Sequence, residues 1–163
     1  MKLMITKVRS LVAVLAVFAM VLGFQMTTVN SAEATDGWES RIVIAAGTAK
    51  NKLSVGQKAD ATNGQDGQYD APAMLKGELK AYSGTSDNPL WRDIKGLGNA
   101  TWNLNIESER SDATITISWD SSTIGANAIL VDSATGAEVD MNSENTYAYS
   151  NTGPRNLSIV VAY

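Results

Sequence analysis

Apolar and polar residues alternate through the C-terminal part of the chain. Trp102-Asn103-Leu104-Asn105-Ile106-Glu107 does so, and so does Ala113-Thr114-Ile115-Thr116-Ile117-Ser118-Trp119-Asp120. Ala128 to Asp132 and Ala137 to Met141 flank Ser133-Ala134-Thr135-Gly136, and Thr146 to Ser150 and Leu157 to Tyr163 complete the series. A period of two, punctuated by turn residues, predicts strands with one face buried and one wet. In the Asp132–Gly136 connection, the Asp side chain caps a type I turn and Gly136 takes the positive φ that returns the chain. Trp102 and Trp119 share the apolar registers of Leu104/Ile106 and Ile115/Ile117, so they are assigned to the core. Tyr147 and Tyr149 share a face and are assigned there as well.

Upstream the pattern is weaker. Arg41-Ile42-Val43-Ile44-Ala45-Ala46-Gly47 predicts a first strand, apolar enough to be covered on both faces or to pair with a neighbour. Leu53 to Gly56 is a short second candidate. Asp60 to Pro72 is rich in Gly, Asn, Asp and Gln, which predicts a long loop. Leu75 to Ser83 is a further strand, with Leu79 and Ala81 facing one way and Lys80 and Tyr82 the other. Ser83 to Pro89 is turn-forming, and Leu90 to Ile94 is a brief apolar-edged segment. Roughly eight or nine short strands with almost no helical periodicity predict an all-β fold. The expected architecture over 41–163 is an immunoglobulin-like two-sheet antiparallel sandwich, with a jelly roll as the alternative.

The N-terminus has a different character. Lys2, Lys7 and Arg9 precede an uncharged apolar run from Leu11 to Phe24. Its length of about fourteen residues falls short of the roughly twenty that span a bilayer. A basic start, a short apolar stretch and small residues at the exit predict a helical signal peptide over 1–34, with Ser31, Ala32 and Ala34 as cleavage positions and Ala34 favoured. A flexible leader over 35–40 follows, then the domain. The protein is therefore expected to be exported, to the cell surface, the periplasm or the medium, with no membrane insertion after signal cleavage.

Composition then narrows the chemistry. Of 13 Lys and Arg and 17 Asp and Glu, the segment after Ala34 keeps all but Lys2, Lys7, Arg9 and Glu33, a balance of −6. It is expected to carry no basic cluster anywhere, so nucleic acid and anionic membrane are not expected partners. The chain has no Cys. About 130 exported residues bury a sufficient core without disulfides, and a cysteine-free exported domain suits a microbial protein. The absence of His and Cys removes histidine-based triads and relays, thiolate nucleophiles, His- or Cys-ligated metals and iron–sulfur clusters.

Three sets of residues retain chemical interest. Asp60, Asn63, Asp66 and Asp70 lie in one Gly-rich loop and carry the oxygens that Ca²⁺ takes, although the bidentate Glu that ends an EF-hand loop is missing. The competing reading is a solvated loop whose Asp and Asn residues cap turns. No other cofactor is implied. Trp91 follows Asp87-Asn88-Pro89 and, with Tyr82 and Asp93, is the candidate ligand surface, since a Trp held at a loop stacks on sugars or anchors an interface. Asp60, Asp66, Asp70, Asp87 and Asp93 are the pool from which a carboxylate-pair hydrolase would draw, the most distant reading.

The order of several motifs resembles a group of exported microbial immunoglobulin-like sandwich modules. Ala61 to Asp66 with Tyr69-Asp70-Ala71-Pro72 is similar to their "ATDGxD…YDxP" segment, and Arg92-Asp93-Ile94-Lys95 to their "RDIR" element. Trp102, Trp119-Asp120, Val131 to Gly136 and Asp140-Met141 follow their "W…WD…DxxTG…DM" succession. Asn63 stands where that pattern has Asp. The resemblance covers roughly residues 41 to 161 and implies no agreed activity. The reading that follows is a non-catalytic surface, matrix or adhesion-type module whose partner is an extracellular protein or polysaccharide. A carbohydrate-binding module is the alternative. Self-association by strand exchange through residues 41–47 stands beside pairing of that strand within its own sheet.

Overall fold

The computed structural model describes residues 37–163; the signal peptide expected over 1–34 and residues 35 and 36 of the expected leader lie outside them. Eleven strands make up nearly all of the regular structure. They are β1 (Trp38–Ala46), β2 (Ala49–Gln57), β3 (Ala71–Pro72), β4 (Leu79–Thr85), β5 (Asn88–Lys95) and β6 (Ala100–Ser108). Then follow β7 (Thr114–Ser118), a 3₁₀ turn at Ser121–Thr123, β8 (Ala128–Asp132), β9 (Ala137–Asp140), β10 (Thr146–Ser150) and β11 (Arg155–Val161). The all-β expectation holds.

The strands join in one hydrogen-bonded path, β10-β7-β1-β2-β5-β4-β6-β11-β8-β9, with β3 adding to β5 beside it. Every pairing is antiparallel except β2 with β5, which run parallel from Ser54↔Arg92 to Gln57↔Lys95. A wholly antiparallel pair of sheets is thus replaced by a single mixed sheet. The parallel pair arises because the chain leaves the end of β2, crosses by way of residues 58–87 and re-enters β5 in the same direction, as parallel neighbours require. Side chains from distant strands meet inside: Trp38 of β1 packs edge-on against Trp102 of β6, ring centroids 5.4 Å apart. The sheet curls into a nearly closed barrel whose facing walls are compatible with a sandwich or jelly-roll type of architecture.

The core lies between those walls. Ile42, Ile44, Leu53, Val55, Trp102, Leu104, Ile115, Ile117, Leu130, Leu157 and Ile159 are essentially sealed from solvent. Each such aliphatic side chain contributes roughly 1.5–3 kcal/mol of burial free energy against the cost of ordering the chain. The indole N–H groups that burial would orphan are satisfied: Trp102 Nε1 donates to the Asp93 carbonyl at 3.0 Å and Trp119 Nε1 to that of Met141 at 2.9 Å.

Strand β1 begins at Trp38, so residues 38–40 of the expected leader belong to the sheet. Ser40 masked this in the sequence, being polar at an inward position. It is buried and shares a hydrogen bond with Thr123 Oγ1 at 2.7 Å. Trp38 packs on the core and donates from Nε1 to Gln57 Oε1 at 3.0 Å. A β-carbon at Gly125 would overlap the Trp38 indole, so only Gly fits there. The hairpin with β2 turns at Gly47-Thr48, and β1 pairs with β2 along its whole length and with β7 over Val43–Ala46. Its apolar character is accounted for by neighbours on both edges, the in-sheet pairing that stood beside strand exchange.

The path is drawn shut by polar side chains. Tyr147 of β10 donates its hydroxyl to Asp132 Oδ2 at the end of β8, at 2.6 Å. Arg155 of β11 reaches the same carboxylate at 2.5 Å and lies over the Tyr149 ring, 4.6 Å from its centroid. Burial opposes the Asp132 charge, but hydrogen bonds from Arg155, Tyr147 and the Ala134 amide outweigh it and hold the carboxyl down at about 2. Burial pushes the Tyr149 hydroxyl up to about 12. Asp132 also caps its turn as expected, accepting from Ala134 N at 3.0 Å, and Gly136 has φ 73°.

Candidate functional site

Strand β5 carries the residues singled out around Trp91. Its turn from β4 is shorter than the sequence indicates: Thr85 already faces Asn88, so Asn88 and Pro89 belong to the strand. Trp91 is therefore held on a strand rather than a loop, between β4, which pairs at Leu90, and β2, which pairs from Arg92 onward. Its side chain is 46% exposed. Trp91 falls where the pairing of β3 with β5 shifts register, and two residues on Asp93 pairs with the buried Val55 of β2. Its carboxylate is buried, takes the Ser83 hydroxyl at 2.5 Å and sits 3.4 Å from Lys95 Nζ. That oxygen is committed to the interior and does not face a ligand beside the indole.

Tyr82 does not join Trp91 at the surface either. It is 4% exposed, and burial, with the Glu107 charge, raises its hydroxyl above the ordinary range. The polar alternation of Lys80 and Tyr82 places both on the outward side of β4, but only Lys80 reaches solvent. Of the three proposed ligand contacts, Trp91 alone presents a large exposed surface.

The Asp-rich segment is tied down by its own carboxylates. Asp66 Oδ2 accepts from Thr62 N at 3.0 Å, Asp70 Oδ2 from Asp66 N at 2.7 Å, and Asp70 Oδ1 from Ile94 N at 2.9 Å. The last bond ties the segment to β5. Arg92 adds a second tie, donating to the Tyr69 carbonyl at 2.6 Å while its guanidinium grips Glu39 through two bonds of 2.7 and 2.8 Å. That grip lowers the Glu39 carboxyl. Asp60 meets the Tyr69 hydroxyl, which is raised above its usual range by that bond. Asn63 contributes its backbone carbonyl to Lys95 Nζ at 3.3 Å.

These contacts give the four candidates separate partners. Asp66 and Asp70 cap backbone amides, as an Asx-rich loop does. Among the described residues, no group of three or more acidic side chains gathers where a metal ion would be held. The Ca²⁺ expectation for Asp60, Asn63, Asp66 and Asp70 thus meets a capped loop rather than a convergent oxygen cage.

One constellation escaped the sequence. Lys50 and Lys52 on β2 and Arg41 on β1 are all exposed, and the hairpin register puts them on one outward face. The signal that would have found them is the Gly47-Thr48 turn: folding the chain there sets Lys52 against Val43, beside Arg41. Comparisons with protein-family models, with curated proteins and with solved structures gave no significant match to this chain.

Proposed function

We propose that this protein is an exported, non-catalytic module that works at a surface by binding glycans. The observation that carries the reading is Trp91, an indole 46% exposed on a strand paired at both edges. Leaving so large a ring in water forgoes the burial that the other tryptophans gain, which favours a use outside the fold. A ring on rigid backbone stacks against a sugar face with little ordering entropy left to lose. Export is supported by the basic-then-apolar start of the chain, and the non-catalytic character by the absence of His and Cys. The immunoglobulin-like assignment, as the finer description of the barrel, is supported by the motif order alone.

A glycan array probed with the protein and with Trp91→Ala tests this directly. The expected outcome is a bound glycan that the variant no longer retains, with a cooperative melting transition kept at a somewhat lower temperature because half of the indole is buried. An array on which the wild-type protein binds nothing, or on which Trp91→Ala binds equally well, overturns the proposal.

A further inference from the structure

Ten Lys and Arg fall within the described residues, and five of them, Lys80, Arg92, Lys95, Arg110 and Arg155, are in ion pairs there. The remaining five are not scattered. Arg41, Lys50 and Lys52 lie on the β1–β2 hairpin and Lys58 just beyond its end; Lys76 lines a shallow hollow together with Lys50. In the register, Lys52 faces Val43, Lys50 faces Ala45 and Arg41 faces Ser54, so all three charges point outward. Lys50 and Lys52 are about 7 Å apart along the strand, and Arg41 is the diagonal neighbour of Lys52 at about 7–8 Å.

The same outward face continues over β7 and β10 without charge. Ser118 and Thr116 flank Val43 and Ala45, and Thr146, Ala148 and Ser150 follow on β10. The one acid at an outward position of these four strands is Glu39, which Arg92 neutralises. At the far end of the hairpin the hollow, about 440 Å³, adds Lys76, while Arg110 there is paired with Glu78 at 2.7 Å. Grouping like charges on one sheet face destabilises the fold slightly. In a chain with an excess of acids, nothing in the packing requires it.

We propose that this face, from Arg41 across Lys52 and Lys50 to the Lys76–Arg110 hollow, binds an acidic polysaccharide through its carboxylate or sulfate groups. The proposal rests on the glycan-binding reading above and extends it to a second, charged surface. Cations spaced several ångströms apart beside the hydroxyls of β7 and β10 complement a polymer that carries isolated charges on a hydroxyl-rich backbone. Duplex DNA is a poorer match. It carries a charge about every 1.7 Å, meets the acidic remainder of the molecule, and finds no aromatic ring on the outward positions of these four strands.

The test uses the full chain against polygalacturonate and dextran sulfate, with dextran, duplex DNA and phosphatidylglycerol vesicles as comparison probes. The combined variant Arg41→Gln, Lys50→Gln, Lys52→Gln alters only exposed side chains, and its melting curve reports that the fold is kept. The wild-type protein should hold at least one acidic polymer, and added salt should weaken that binding steeply while leaving any dextran binding unchanged. The variant should lose about tenfold or more in affinity, the loss expected when three ionic contacts go. Trp91→Ala should leave this salt-sensitive binding in place, so failure of the charged face and failure of the Trp91 reading are seen separately. No binding to either acidic polymer, equal binding by the variant, or tighter binding to DNA or to vesicles overturns the proposal.

Discussion

Two groups of charges in this barrel obey opposite rules. At the seam between β8, β10 and β11, Asp132 and Arg155 have side chains only 1% and 13% exposed, and each finds its partner. On the outer face of the β1–β2 hairpin, Arg41, Lys50 and Lys52 stand in solvent and enter no ion pair among the described residues. Charge taken out of water must be paired and hydrogen-bonded, so it specifies which strands meet. Charge left in water contributes little to folding and is free to serve recognition. Local geometry, rather than overall composition, separates the two uses.

The sharpest way to break the contrast is at the seam. Asp132→Ala removes the acceptor of both Arg155 and Tyr147 and leaves a largely sequestered guanidinium unpaired. We expect a loss of about 3–5 kcal/mol in chemical denaturation; a loss below about 1 kcal/mol would show that the seam does not hold the barrel shut. The pH dependence is smaller and has a defined sign. The Asp132 carboxyl is held at about 2 against an ordinary 3.8. A depressed value stabilises the fold above the unfolded-state value, and that contribution is lost as pH falls through the folded one. About 2 kcal/mol should therefore disappear between roughly pH 4 and pH 2, and Asp132→Asn should flatten that part of the acid-denaturation curve. The smallest effect belongs to the open face. Lys52→Gln should leave the melting temperature unchanged or raise it slightly by relieving like-charge repulsion, and a clear drop would assign Lys52 a structural part.

The seam and the face were unequally legible in the sequence. Strands from Trp102 onward could be placed because their alternation is local and their turns carry recognisable residues; Asp132 and Gly136 behave as their types dictate. What Asp132 meets could not be placed, since Tyr147 and Arg155 reach it only once the sheet has curled. The hairpin was hidden by Ala49 and Asn51, whose small and polar side chains sit at the less exposed positions of β2 and blur its period. The buried state of Tyr82 and Asp93 was equally out of reach, because it depends on what covers β4 and β5 rather than on their own pattern. The Asp-rich segment supplied calcium-like oxygens, and only the folded chain reveals that backbone amides at Thr62, Asp66 and Ile94 bond to the carboxylates of Asp66 and Asp70.

The placement of β1 has a consequence for the order in which the molecule assembles. Its hairpin with β2 is a neighbourly contact, yet its other edge waits for β7, with Val43 meeting Ser118. Strand β11, the last to be made, lies between β6 and β8. Contacts so distant along the chain slow folding, because the closure entropy of each loop must be met before its strands pair. The barrel is therefore a late and cooperative event: a chain that has delivered only its first hundred residues owns a hairpin and a partial wall, and no finished core.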